Sequence, residues 1–238
     1  VEYAKKKGIH VINTPAASSL SVAELVFTHF LNISRNVHRS NRKMPLEGET
    51  RFKNLKKKYS KGNELNNKTL GIIGFGRIGQ EVAKIGLGLG MKIIAHDKFI
   101  DESIITISFF DNQNINFKIT TTSIENVLKK SDFITFHIPK IDNKALISKK
   151  EFEMMKDGVC IVNTARGGII DEDELIKALG NGKVQSAGLD VFENEPNPSI
   201  KILKNEKISL SPHIGGSTIE AQDRIGLELA NQIINFYK

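Results

Sequence analysis

At 238 residues, with 39% hydrophobic and 26% charged positions, the chain can bury one large core, or one core with an appendage. No apolar run approaches the roughly 20 residues of a membrane span, so no membrane partner is expected. The net charge of +7 comes from scattered runs such as Lys5-Lys6-Lys7, Lys56-Lys57-Lys58 and Lys149-Lys150. They lack the interleaved aromatics of a stacking platform, so no nucleic-acid partner is expected, although a positive field would attract anionic substrates.

The N-terminus, VEYAKKKGIH, has neither an initiator Met nor an apolar signal core and reads as the continuation of a longer chain. A lysine-rich helix end leads through Gly8 to a short expected strand, IHVINT (9–14), and Pro15. Ser21-x-x-Glu24 then opens an expected amphipathic helix with Leu20, Ala23, Phe27, Phe30 and Leu31 on one face. Residues 41–66 are polar and basic without clear periodicity and read as an arm or linker.

From residue 69 an alternation begins. TLGIIG (69–74), MKIIAHD (91–97), DFITFHI (132–138), VCIVNT (159–164), VQSAGLDV (184–191) and ISLSP (208–212) are short apolar runs suited to parallel strands covered on both faces, with FKITTT (117–122) a weaker strand. Thr122-x-x-Glu125, Ser148-x-x-Glu151 and Ser217-x-x-Glu220 read as capping boxes between them, and Asp171-x-x-Glu174 as a near-variant. Strand–helix–strand repetition predicts an α/β fold, a doubly wound parallel sheet of the Rossmann type. Segment 98–122 is long and apolar in an unusual way, and its elements are not placed. Cys160, alone in the chain and inside a strand, is expected to be an inert buried thiol; its solitude excludes an internal disulfide and fits a reducing compartment, taken as the cytoplasm.

Gly74-Phe75-Gly76-Arg77-Ile78-Gly79 lies between a strand and a helix. The glycines suit a tight turn, backbone approach to a pyrophosphate and close helix–strand packing. Asp97, at the end of the next strand, is placed to accept from an adenosine ribose and to repel a 2′-phosphate; this favours NAD over NADP, a preference that Lys98 weakens. Ligands of such folds bind at carboxyl ends of strands, where Asp97, His137, Arg166, Asp190 and His213 fall, with His96 one residue before Asp97. Position alone does not choose among the three histidines as acid–base groups. The fork of Arg166 suits a carboxylate, with Gly167 and Gly168 leaving space beside it; an ion pair with Asp171 or Glu172 is the alternative. Glu195, in the proline-braced ENEPNP, reads by itself as a solvated loop charge. No metal site is read from the sequence.

These motifs resemble the D-2-hydroxyacid dehydrogenases, most similarly their phosphoglycerate dehydrogenase branch, over nearly the whole chain. GIHVINTP with SVAE, KTLGIIGFGRIG, SDFITFHIP, VNTARGGIIDEDEL, AGLDVFENEP and SPHIGGSTIEAQ carry the likeness. It implies catalysis by Arg166, Glu195 and His213, selecting His213 over His96 and His137. His213 would be the general base, Glu195 its hydrogen-bonded partner, and Arg166 the clamp on the substrate carboxylate. NAD would be bordered by Gly74, Gly76, Arg77, Ile78, Gly79, Asp97, Ile138, Thr164, Ala165, Arg166 and His213, with Asp190 on the nicotinamide carboxamide and Gly215 and Gly216 against the ring.

The likeness also implies a division into a remnant of a substrate-binding domain (1–19), an interdomain and dimerisation helix with its arm (20–66), an NAD-binding domain (67–216) and a last helix packing toward the hinge (217–238). The expected partners are a small 2-hydroxy or 2-oxo acid, with 3-phosphoglycerate of serine synthesis favoured, and a second copy in a homodimer. The alternatives are an NAD-sensing corepressor-like protein and an inactive cofactor-binding fragment.

Overall fold

The computed structural model describes residues 1–139 and 144–237, so Lys238, at the end of the expected last helix, lies outside the described residues. A short helix α1 (Glu2–Lys6) ends in a turn at Gly8, whose φ is +72°. Residues 9–14 form no strand, contrary to expectation; their backbone joins neither sheet, and Ile9 and Val11 stay exposed.

Helix α2 (Ser19–Ser34) starts before Ser21, whose hydroxyl lies 2.6 Å from that of Thr218. Its buried stripe is Ala23, Val26, Phe27, Phe30 and Ile33, at the 3.6-residue period. Leu20 and Leu31 sit just outside that stripe and are exposed, which corrects the expected face. Phe30 is fully buried, edge-on to Phe27 and to Phe133 with centroids 5.9 and 5.2 Å away. Removing such a ring from water contributes roughly 2–3 kcal/mol.

Asn36, in the left-handed region, turns the chain into α3 (Val37–Tyr59). Residues 41–59 of the expected linker are therefore helical. The helix has no readable stripe because only Leu55 is buried, and Glu47 ion pairs with Lys43 and Arg51 support the exposed face instead. Pro45 sits inside it, and Arg51 breaks the helical dihedrals.

The alternating part then runs β1 (Thr69–Ile73), α4 (Arg77–Gly88), β2 (Lys92–His96), β3 (Glu102–Ser108), β4 (Asn114–Thr120), α5 (Ile124–Lys130), β5 (Phe133–Phe136), α6 (Lys149–Met154), β6 (Val159–Asn163), α7 (Glu172–Asn181), β7 (Val184–Leu189), α8 (Ile200–Leu203), β8 (Ile208–Leu210) and α9 (Ile219–Tyr237). Among the described residues six strands form one parallel sheet in the order β2-β1-β5-β6-β7-β8. One buried cluster joins the sheet to α5, α6 and α7, the other joins it to α2 and α4, so both faces are covered. The fold is Rossmann-like. Its chain order reverses between β1 and β5, which places a crevice at their carboxyl ends.

The unplaced segment resolves into β3 and β4, an antiparallel hairpin apart from the main sheet, so FKITTT is no strand of that sheet. Ile105 and Ile119 tuck into the core shared with α4. Two caps shift by one residue: Ser123, not Thr122, accepts from Asn126 N–H, and Thr218, not Ser217, accepts from Ala221 N–H. Ser148 and Asp171 cap as read. Cys160 is buried, and desolvation pushes its thiol up to about 12, so it is inert at neutral pH.

His29 of α2 is 2% exposed, and burial pushes its pKa down to about 4, against a smaller opposing pull from Asp190 and with a smaller push from His38. Between pH 6.5 and about 4 the unfolded chain therefore binds a proton that the folded chain refuses. Stability falls as pH drops through that window, by roughly 3 kcal/mol from this group at its limit. Urea midpoints at pH 7.5 and 5 are expected to differ less in His29→Gln than in the parent; an unchanged difference would remove His29 as a source.

Candidate active site

The carboxyl end of β1 runs into the glycine turn. Gly74 has φ +96°, and a Cβ there would meet the His137 carbonyl oxygen at 2.5 Å; at Gly79 it would overlap the Gly74 carbonyl. Gly76, the N-cap of α4, has nothing within 4 Å of its Cβ position and no side-chain cap. Two glycines are thus packed against protein, while the middle one faces open space beside the first-turn N–H groups of Arg77 and Ile78, which have no partner among the described residues and where an anion is favoured.

Asp97 ties this turn to the next loop. Its Oδ2 accepts from Phe75 N–H at 2.7 Å, and its Oδ1 from Phe99 and Ile100 N–H at 2.8 and 3.2 Å. The carboxylate remains partly exposed, with lone pairs left for hydroxyls. Ile138 packs beside Gly74. Across the crevice, Thr164 Oγ1 and His137 Nδ1 are buried at the ends of the paired strands β5 and β6, with no hydrogen-bond partner among the described residues. An open cradle, a strand-end acid and two orphaned polar atoms fit a dinucleotide.

Arg166 follows β6 on a turn fixed by Asn163. The buried Asn163 amide donates to Arg166 C=O at 2.9 Å, and its Oδ1 accepts from Ala165 N–H at 3.1 Å. The alternative ion pair with Asp171 or Glu172 does not form. Asp171 accepts from Glu174 N–H, and Glu172 and Glu193 accept reciprocally from each other's N–H. Arg166 is exposed and bonds only Ala165 C=O at 2.6 Å among the described residues. Gly167 does not hold space open beside it, because a Cβ there would overlap the Phe192 carbonyl.

His213 Nδ1–H donates to Glu195 Oε2 at 2.8 Å, while Glu195 Oε1 accepts from Phe192 N–H at 2.9 Å. Partial desolvation pushes the Glu195 carboxyl up, but these hydrogen bonds and the charges of His213 and Arg166 hold it below its ordinary value. An ionised acceptor at Nδ1 leaves Nε2 as the basic nitrogen, on a ring that is half exposed. The other histidines are committed elsewhere. His96 Nδ1–H donates to Thr122 C=O at 2.8 Å, and His137 bonds Thr135 while burial pushes its pKa down to about 3.

Asp190 was expected on the nicotinamide carboxamide, and the structure sets its carboxylate against the His213 loop. It is fully buried, with Oδ1 accepting from Ser211 Oγ–H at 2.5 Å and Ile214 N–H at 2.9 Å, and Oδ2 from Gly215 N–H at 2.9 Å. Both oxygens face the loop that carries His213. Gly215 likewise packs on Asp190, and Gly216 packs on Ser18. Asn163, Phe192 and Ser211 were missed from sequence. Only Asn163 carried a signal, as an Asn at a strand end before a turn.

The description "D-isomer specific 2-hydroxyacid dehydrogenase, NAD binding domain" matches residues 27–215. The chain is 45% identical to hydroxypyruvate reductase of Thermotoga maritima, over 98% of this chain and 72% of that protein. It is 40% identical to D-3-phosphoglycerate dehydrogenase of Methanocaldococcus jannaschii, over 98% of this chain and 42% of that one. The solved D-lactate dehydrogenase of Aquifex aeolicus, complexed with NAD and lactic acid, superposes with TM-score 0.75 at 33% identity, covering 99% of this chain and 72% of that one. The chain thus spans less than half of the phosphoglycerate dehydrogenase it matches. It belongs to the D-isomer specific 2-hydroxyacid dehydrogenase family, and residues 27–215 are its NAD-binding domain.

Proposed function

We propose that the protein oxidises a D-2-hydroxy acid to the 2-oxo acid, with Arg166, Glu195 and His213 as its catalytic residues. The observation that carries this reading is the 2.8 Å Glu195–His213 pair, on the same strand-end face as an arginine that forms no ion pair among the described residues. NAD, when bound, supplies the hydride acceptor for C2 of the substrate. His213 Nε2 takes the proton of the substrate hydroxyl and returns it in the reverse direction. Glu195 holds Nδ1–H, fixes the tautomer and stabilises the imidazolium that forms. Arg166 grips the substrate carboxylate through two parallel N–H donors and orients C2 beside Nε2.

Within this reading 3-phosphoglycerate is the favoured substrate, supported by the resemblance to the phosphoglycerate dehydrogenases. Glycerate competes, through the likeness to hydroxypyruvate reductase. NADH formation with 3-phosphoglycerate, D-glycerate, D-lactate and longer 2-hydroxy acids tests this. Turnover of 3-phosphoglycerate above the rest supports the choice, and no turnover of any D acid overturns the function. Arg166→Ala is expected to lower kcat/KM by roughly 100-fold through loss of charged hydrogen bonds, while NAD affinity barely moves. Parental kcat/KM would remove the assigned role.

We also read the protein as a cytoplasmic homodimer joined through α2 and α3. Exposed Met44, Leu46 and Phe52 on α3, together with the free buried thiol, support this.

A further inference from the structure

Asp190 clamps the His213 loop from both sides, at Ser211 before it and at Ile214 and Gly215 after it. His213 itself sits at φ +56°, a backbone region that a β-carbon disfavours, so the loop needs such restraint. Behind Ser211 lies His29, 182 residues away in sequence. Its Nδ1 is 2.9 Å from Ser209 Oγ, and its Nε2 is 2.9 Å from Ser211 Oγ.

The direction of every hydrogen in this row follows from its end. The Asp190 carboxylate only accepts, so Ser211 must give it the hydroxyl proton. Ser211 Oγ can then only accept from His29, which places a proton on Nε2. Nδ1 is left bare and accepts from Ser209 O–H. The opposite tautomer would make Ser211 donate to His29 and would remove one of the bonds that Asp190 makes to the loop.

We propose that His29 is a positioning residue for the His213 loop: as the neutral Nε2–H tautomer it points the Ser211 hydroxyl at Asp190 and so completes the clamp. Burial disfavours the charged form and so keeps the ring neutral across neutral pH, while the hydrogen-bond row selects the tautomer. The row rests on the dehydrogenase reading for its consequence, not for its geometry.

Nitrogen-15 NMR of the full chain labelled at histidine tests the geometry without turnover. The parent should show His29 protonated at Nε2 alone, and Ser211→Ala should lose that single-tautomer signature; an Nδ1–H ring in the parent overturns the inference. Two variants test the consequence. His29→Gln keeps an N–H donor near the Nε2 position and should keep kcat close to parental. His29→Asn keeps only an acceptor toward Ser209 and should lower kcat at least about tenfold through loop misplacement, with KM for NAD unchanged. Equal effects in the two variants overturn it. A parent that forms no NADH sinks the dehydrogenase reading and leaves the tautomer experiment to decide the relay.

Discussion

His213→Ala is expected to lower kcat by about a hundred- to ten-thousand-fold, the range for loss of a positioned acid–base group. The ring is half exposed and its one hydrogen bond among the described residues is to Glu195, so thermal stability and NAD affinity should stay near parental values. A competing account would blame the positive φ at this position. His213→Asn separates the two, because asparagine tolerates that backbone region but cannot take the proton. Both variants should lose the chemical step alike in single-turnover experiments. Recovery of rate in the asparagine variant would place the defect in the backbone and move the acid–base role elsewhere.

Gly167→Ala should produce the second large effect, acting on stability and rate together. The new methyl would overlap the Phe192 carbonyl and crowd Glu193 N at 3.0 Å. These are backbone atoms, so no side-chain rotation relieves the clash, and segment 192–195 has to move. That segment supplies Phe192 N–H to Glu195 and Glu193 to the reciprocal pair with Glu172. A loss of roughly 2–3 kcal/mol is expected from overpacking alone. A fall in kcat is expected with it, as Glu195 leaves His213. Gly180→Ala is the control: it lies in α7 with nothing within 4 Å of its Cβ position, and should be neutral or slightly stabilising. Urea midpoints measured alongside kcat check both variants. Parental stability in Gly167→Ala would contradict the packing account.

The parallel sheet was legible because its strands are short, apolar and separated by recognisable caps. Caps slipped by one residue where two hydroxyls stand together, as at Thr122-Ser123 and Ser217-Thr218, since either can reach the helix N–H groups. Helix α3 was illegible because Leu55 alone is buried and no apolar period exists to read. The β3–β4 hairpin follows its own antiparallel logic outside the strand–helix alternation, so that pattern could not place it.

In the site, Arg166 and His213 were visible as polar residues at strand ends. The bond from His213 to Glu195 was expected only through the family resemblance, because it depends on a loop whose course sequence spacing does not fix. Asp190 was recognised as a strand-end acid, but its partners at 211, 214 and 215 depend on the path of the chain beyond β8. His29 gave no signal at all, since a lone histidine in a helix looks the same whether it packs or positions.

The proposed reaction removes hydrogen from C2 of a D-2-hydroxy acid. The most direct measurement supplies NAD with C2-deuterated substrate, as separate D and L isomers, and weighs the reduced cofactor by mass spectrometry. Deuterium in the reduced cofactor with the D isomer, and none with the L isomer, is the predicted result. NAD binding without reduction by any D acid, or reduction without deuterium transfer, would contradict it.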